Sequence, residues 1–324
     1  MKALVLVGGL GTRLRPVTYG LPKQLIPLAG KPMLYHVLDQ LPTEVEEVVF
    51  ASGYKADVLA RYLHDHPLRW PTRTVPEATP LGTGGGMLNA AAGISDPFLV
   101  LNSDVVAEID VPGLLRFHAS RGGAGAMALA EVENTQPYGV AALGDRGRIE
   151  QFVEKPPPEK APSHWINAGV SVWRHSVLER IPPGRPVSWE TEVMPGLLAE
   201  GVYGFETRGF WEDAGTPERL LHAQRLLFDA GRGGPGDLPS GSTGKGPVAA
   251  PPSCHAHGAR FGGYVHLSGR TQLGAGSFVE DSILMEGVEV GVGATVRRSI
   301  LGPGTQVPAH ALCEGKVLAL ESGH

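Results

Sequence analysis

From residue 1 to about 228, short apolar runs rich in β-branched residues alternate with amphipathic stretches. Residues 3–7, 45–51 and 98–102 are such runs, each closed by turn residues, and the pattern predicts buried strands there. Residues 32–41 predict a helix with proline in its first turn. Residues 56–64 predict another, with Val58, Leu59, Tyr62 and Leu63 on one face. Strands alternating with helices predict a Rossmann-like α/β fold, a doubly wound and mostly parallel sheet covered on both faces. Such sheets bind ligands at the carboxyl ends of their strands.

The pattern then breaks. Residues 231–252 hold 7 Gly and 5 Pro and predict a flexible linker, because no core can form there. Beyond it, 273–289 aligned on 290–306 at a 17-residue offset retains Gly274/Gly291, Gly276/Gly293, Val279/Val296, Ser282/Ser299, Ile283/Ile300, Leu284/Leu301 and Gly287/Gly304. Aliphatic positions one short strand apart, with glycine between them, suit a β-solenoid. The segment resembles the left-handed β-helix of hexapeptide repeats. Residues 253–272 carry the pattern weakly, so two clear coils and a degenerate third are expected. The expected domains are 1–230, linker 231–252 and tail 253–324.

Composition narrows the function classes. With 45 Gly and 28 Pro in 324 residues, the chain stays below the roughly 25–30% that marks low complexity. Against 28 Lys+Arg stand 33 Asp+Glu, a net charge of −5, the wrong sign for life on nucleic-acid phosphates. The apolar start ends at Val7, too short for a membrane span or a signal-peptide core. Two cysteines, Cys254 and Cys313, make no disulfide framework and point to a reducing compartment. A soluble cytoplasmic protein with no nucleic-acid or membrane partner is expected. Cys254, His255 and His257 lack a second ligand pair at zinc spacing and read as polar residues at the linker edge.

The strongest chemical signal is GGLGTRLRP at 8–16 directly after the first strand, followed by Pro22-Lys23. A glycine-rich turn exposes backbone N–H groups to phosphate oxygens, and Arg13, Arg15 and Lys23 add positive charge. The spacing fits neither a P-loop nor the dinucleotide fingerprint. Leu101-Asn102-Ser103-Asp104 ends a buried strand in a carboxylate, and Trp211-Glu212-Asp213 supplies another before a helix. Taken alone, each Asp is as ordinary as any cap or turn residue.

GGLGTRLRPVTYGLPKQLIPLAGKPML resembles the signature of the sugar-phosphate nucleotidyltransferases, and the resemblance runs through residues 1–228. Within that family it is nearest to the mannose-1-phosphate guanylyltransferases that carry a short β-helix tail. The resemblance implies attack of a sugar 1-phosphate on the α-phosphorus of a nucleoside triphosphate, with release of pyrophosphate. It implies that Gly8, Gly9, Gly11, Thr12 and Arg13 bind nucleotide, that Arg13 and Lys23 are catalytic cations, and that Asp104 and Asp213 are catalytic metal ligands for Mg²⁺. Pro80–Gly86, with Gly82, matches the loop that holds the base. Glu77 falls where the family reads its Watson–Crick edge, and a carboxylate there can accept both adjacent donors of guanine. Phe152-Val153-Glu154-Lys155-Pro156 matches the sugar-phosphate grip of Glu154 and Lys155, with Tyr138, Gly139, Asn167 and Gly169 at the sugar. Ser188, Glu190 and Glu192 resemble a guanylyltransferase segment with no individual roles assigned.

The expected reaction joins GTP and mannose 1-phosphate. A dTTP- or UTP-dependent glucose-1-phosphate enzyme and a non-catalytic nucleotide-sugar-binding subunit are the alternatives. An acyltransferase built on the solenoid would need more coils than the two that are legible. A tail this short leaves an open solenoid end that is expected to pack on the catalytic domain or on a partner subunit, giving a homo-oligomer, a dimer.

Overall fold

The computed structural model describes residues 1–234 and 237–320. Pro235 and Gly236 of the predicted linker, and 321–324 of the tail, lie outside the described residues. The chain divides into two compact units. One comprises Met1–Gly9 and Val37–Trp211; the other comprises Leu10–His36 and the chain from Glu212 onward.

The first unit holds a mixed sheet. Its strands run in the order Ile149–Glu154, Gly139–Leu143, Trp165–Trp173, Phe98–Asn102, Lys2–Val7, Glu47–Ser52 and Thr72–Pro76, with Gly125–Glu131 joining Trp165–Trp173 to Val202–Glu206. Lys2–Val7 is parallel to both Glu47–Ser52 and Phe98–Asn102, and Glu47–Ser52 is parallel to Thr72–Pro76. Thr72–Pro76, a partly exposed edge strand, is not among the predicted strands; Lys2–Val7, Glu47–Ser52 and Phe98–Asn102 lie where the apolar runs predict them. They read as nearly unbroken apolar runs because strands covered on both faces have no polar side. The later half is largely antiparallel: Trp165–Trp173 opposes Phe98–Asn102 and Gly125–Glu131, and Gly139–Leu143 forms a hairpin with Ile149–Glu154. Hydrophobic period reports strand and burial but not the direction of the partner, so "mostly parallel" describes only the amino-terminal half.

The chain leaves Lys2–Val7 for a neighbour on one side and returns on the other at Phe98–Asn102. That reversal is a topological switch point, where open α/β sheets bind ligands. Leu4, Val49, Phe98, Met127 and Trp173 form the core beneath it. Trp173 is fully buried, stacks edge-on against Trp189 at 4.8 Å, and donates its Nε1–H to Ser171 Oγ at 2.7 Å.

Among the described residues, the second unit contains a parallel β-solenoid of five coils. Thr243–Gly244, Arg260–Gly262, Phe278–Glu280, Thr295–Arg297 and Leu312–Glu314 stack on one face, and Val248–Ala249, Val265–Leu267, Ile283–Leu284, Ile300–Leu301 and Val317–Leu318 on the next. A third face carries Gln272–Leu273, Glu289–Val290 and Gln306–Val307. Phe261, Val279, Val296 and Cys313 stand in register as a buried ladder. Both cysteines are free thiols, and burial raises the pKa of each.

The stack is longer than the sequence repeat because its corners accept residues other than glycine. Gly258, Gly276, Gly293 and His310 line one corner row, Gly263, Asp281, Arg298 and Gly315 another, and Arg270, Gly287 and Gly304 a third, all with positive φ. Asp281, Arg298, Arg270 and His310 conceal the glycine period. One additional residue between Gly258 and Gly276 also breaks the 17-residue offset. The first coil falls at 243–249, inside the glycine- and proline-rich stretch that composition alone reads as linker.

At Gly287 φ is 67°, and beyond its chain neighbours no atom lies within 4 Å of where a Cβ would stand. Gly287→Ala should therefore lower stability by the conformational term alone, about 1–2 kcal/mol. A denaturant midpoint unchanged from wild type would remove that cost from the corner. Among the described residues, no helix is long and apolar enough to cross a membrane.

Candidate active site

In the first unit, the switch point places Gly8 and Gly9 directly after Val7 and Asp104 just beyond Asn102. Ser103 locks the two strand ends together, its hydroxyl and its N–H both donating to Leu6 O, at 2.6 and 3.3 Å. Asp104 is half-buried and stands beside the start of the glycine-rich turn.

The segment expected to hold the base is the first part of a helix, Gly82–Ala90, rather than an open loop. Its glycines are required by close approach. A Cβ on Gly82 would stand 2.5 Å from Val187 O, and one on Gly84 would stand 3.1 Å from Val187 Cγ1. Gly84 N–H donates to Val187 O at 2.9 Å, and Val187 N–H donates back to Leu81 O at 2.8 Å. Glu77 turns its carboxylate onto this helix start, accepting Leu81 N–H through Oε2 at 3.1 Å. Its Oε1 lies 2.6 Å from where a Cβ on Gly86 would be. Glu77 thus caps a helix N-terminus, where a carboxylate is favoured, and its lone pairs are not all used by one backbone N–H.

The segments expected at the sugar converge. Gly139 sits opposite Glu154 in the hairpin, and Lys155 N–H donates to Tyr138 O at 2.9 Å. Tyr138 packs edge-on against Trp211 at 4.9 Å, and Trp211 Nε1–H donates to Ala168 O at 3.2 Å. Asn167 and Gly169 flank that carbonyl at a register irregularity in Trp165–Trp173. Gly169 has φ 82°, and its missing Cβ would lie 3.2 Å from Asn102 Cβ. A bulge of this kind re-aims side chains at the end of a strand. Lys155 is left-handed, with φ 47°. A non-glycine residue in that region is held there by its surroundings.

Glu154 Oε1 pairs with Lys155 Nζ at 3.1 Å. Burial raises the Glu154 pKa above the usual carboxylate value. Lys155 opposes that shift and Glu190 reinforces it. Glu190 also receives hydrogen bonds from Thr83 Oγ1 at 2.6 Å and Ser188 Oγ at 3.2 Å. It therefore ties the helix start at Thr83 to the Ser188 segment, a contact that the sequence left unassigned.

In the second unit, Gly11 is left-handed with φ 58° and starts the 3-10 turn Thr12–Leu14. Thr18 Oγ1–H donates to Gly11 O at 2.8 Å, and a Cβ on Gly11 would stand 2.9 Å from Thr18 Cγ2 and 3.5 Å from Lys23 Cβ. Lys23 begins its own 3-10 turn, Lys23–Leu25. Arg15 lies over the Tyr19 ring at 4.9 Å. Arg13 Nη2 and Asp213 Oδ1 converge on Gly215, each 2.9 Å from where its Cβ would be. Asp213 Oδ2 also pairs with Arg219 Nη1 at 3.3 Å. Arg219 was not foreseen; its only signal is its place in the first turn of the helix Pro217–Asp229.

Among the described residues, no three His, Cys, Asp or Glu side chains group as a metal site. Magnesium is ordinarily held by one or two carboxylates, with water and phosphate oxygens completing the shell.

These features define a nucleotidyl transferase: residues 2–229 match the nucleotidyl transferase family, and the chain belongs to it. It is 39% identical over 239 residues to mannose-1-phosphate guanylyltransferase 1 of Arabidopsis thaliana, covering 71% of this chain and 65% of that protein. It is 35% identical over 297 residues to the mannose-1-phosphate guanylyltransferase of Mycobacterium tuberculosis, covering 90% of this chain and 81% of that one. Among solved structures, HddC from Yersinia pseudotuberculosis complexed with GMP-PN superposes with a TM-score of 0.59 at 28% identity, over 69% of this chain and 97% of that one. A putative glucose-1-phosphate thymidylyltransferase from Bacillus anthracis, at 22% identity and a TM-score of 0.62 over 71% of this chain and 96% of that one, shares the fold.

Proposed function

We propose that this chain makes GDP-mannose from GTP and mannose 1-phosphate. The observation that carries the reading is its likeness to relatives of that name, over up to 90% of the chain. A phosphate oxygen of the sugar 1-phosphate attacks the α-phosphorus of GTP, a P–O bond forms, and the bond to pyrophosphate breaks. The nucleophile is already anionic at neutral pH, so no general base is needed. Catalysis then falls to positioning and charge.

In this reading Gly8, Gly9, Gly11 and Thr12 offer backbone N–H groups to phosphates, and Arg13 and Lys23 supply the cations. Gly82 lets the base approach, and Glu77 accepts from it. Lys155 grips the sugar phosphate, while Glu154, Asn167, Tyr138, Gly139 and Gly169 surround the sugar. Asp104 and Asp213 are oxygen donors of the type Mg²⁺ prefers and are the residues proposed to hold it. When bound, the ion would neutralise charge on the α-phosphate and orient its oxygens. A homodimer is part of the proposal, supported by exposed Leu312 and Leu318 on the last described coil, and so is a cytoplasmic location.

The test is pyrophosphate release with Mg²⁺, each nucleoside triphosphate, and mannose or glucose 1-phosphate. Turnover with GTP and mannose 1-phosphate is expected, and none with any pair would sink the reading. Base choice has its own test. Glu77→Gln keeps an acceptor for Leu81 N–H but offers guanine a donor in place of one acceptor. It should lower kcat/KM for GTP by about 10- to 100-fold, the scale of one lost buried contact. An unchanged GTP-to-UTP ratio would leave Glu77 as a helix cap only.

A further inference from the structure

Three residues after Ile26 in the segment that carries Lys23, the chain makes a tight turn between the short strands Pro27–Leu28 and Lys31–Pro32. Ala29 has φ 45° and Gly30 φ 107°, so the turn is held in a left-handed conformation. Its polar backbone groups are satisfied by residues some two hundred positions away. Gly30 N–H donates to His266 Nδ1 at 3.0 Å, and Ala29 N–H to Gln224 Oε1 at 3.5 Å. Ala29 O accepts Gly234 N–H at 2.6 Å, and Leu28 O accepts His36 Nε2–H at 2.8 Å. Arg232 Nη2 reaches on to His36 O at 2.8 Å.

The two long-range side chains are themselves tied to the solenoid. Gln224 is fully buried, and its Nε2 donates to Tyr264 O at 3.0 Å and Ser282 O at 3.3 Å. His266 is 4% exposed, and its Nε2 lies 3.0 Å from Ser268 Oγ. With Gly30 donating to Nδ1, the proton sits on Nε2 and the ring is neutral. Burial, with a smaller push from His36, lowers its pKa to about 3, so this acceptor persists across the physiological range. Leucine at either position would suit an apolar interior. A buried polar side chain with every bond made fixes register instead.

We propose that His266 and Gln224 are positioning residues for nucleotidyl transfer: through the Leu28–Gly30 turn they set the segment that presents Lys23, and the solenoid is thereby part of the catalytic machinery. The role rests on the proposed function, since Lys23 is a phosphate cation only in that reading. A misplacement near 1 Å is enough to cost about a hundredfold in rate.

The experiment uses the full chain and compares wild type with His266→Leu, His266→Asn and Gln224→Met. Amide hydrogen exchange over residues 24–34 is measured without ligand, and kcat and KM with GTP, Mg²⁺ and mannose 1-phosphate. Expected for His266→Leu and Gln224→Met are faster exchange at 24–34 and a kcat lower by roughly 10- to 100-fold, with KM for the sugar phosphate little changed. His266→Asn, whose Oδ1 can stand in for Nδ1, should recover most of both losses. Unchanged exchange in both disruptive variants overturns the clamp whatever the activity. Faster exchange with wild-type kcat overturns the positioning role. If His266→Leu fails to fold, Gln224→Met, which leaves the solenoid sequence intact, decides alone. A wild type inactive with every pair removes the functional reading and the positioning role with it, and exchange still decides whether the clamp exists.

Discussion

Asp104→Asn is expected to abolish turnover, by at least about 10³-fold, without moving the thermal transition by more than a few degrees. The scale follows from losing several kcal/mol of charge stabilisation when the carboxylate proposed to hold the metal becomes neutral, at about 1.4 kcal/mol per factor of ten. The fold should survive because the anchor of this strand end is Ser103, which donates twice to Leu6 O. Asparagine is nearly isosteric with aspartate, so packing around the half-buried side chain is conserved. Raising Mg²⁺ or substituting Mn²⁺ should recover part of the activity if the loss lies in metal affinity. Activity within tenfold of wild type would remove Asp104 from the metal site, and would leave the nucleotidyl transferase assignment standing on the family match.

Lys23→Ala should lower kcat by about 10²–10³, the range for removing one donor aimed at developing charge. Lys23 lies on a turn whose backbone is closed by Leu25 N–H to Pro22 O at 2.9 Å and by Ile26 N–H to Lys23 O at 3.1 Å, so truncating the side chain leaves the turn in place. Arginine is expected to restore only part of the rate. Its planar fork does not reproduce the compact ammonium that, in the proposed function, sits among phosphate oxygens. An effect on KM for GTP alone, with kcat intact, would mean that Lys23 binds ground state and transition state equally.

Several elements were readable because local chemistry decides them. The buried strand Phe98–Asn102 has the bounds its apolar run predicts, and the helix Ala56–Asp65 runs one residue beyond the amphipathic pattern. Gly11 and Gly169 are glycines that positive φ and close neighbours demand, and both fall on segments already marked by the family resemblance. What escaped depends on partners far away in sequence. Nothing near Trp165–Trp173 says that it will oppose Phe98–Asn102. Gly82–Gly86 looked like a loop because glycine is a poor helix former, yet the approach of Val187 explains the same residues inside a helix. Arg219 and Glu190 are ordinary charges until folding brings them to Asp213 and Thr83. The outer coils escaped for a different reason: Arg270 and His310 took corner positions that a search for glycine passes over, and the extra residue between Gly258 and Gly276 breaks the 17-residue offset.

The corner rows also govern how the tail can change length. An ordinary surface loop absorbs insertions of any size. In the solenoid each corner is stacked on its neighbours by parallel backbone pairing. The one extra residue is absorbed locally, where pairing passes from an 18-residue offset at Gly262 to a 17-residue offset at His266, whereas deleting several residues from one coil would leave a stretch of its ladder unpaired. Removing a complete coil of 17 residues, such as the interval from Gly276 to Gly293, shortens the stack while leaving the remaining rows aligned. Large length changes among descendants of this chain should therefore come in whole turns, with single residues absorbed within a coil as between Gly258 and Gly276.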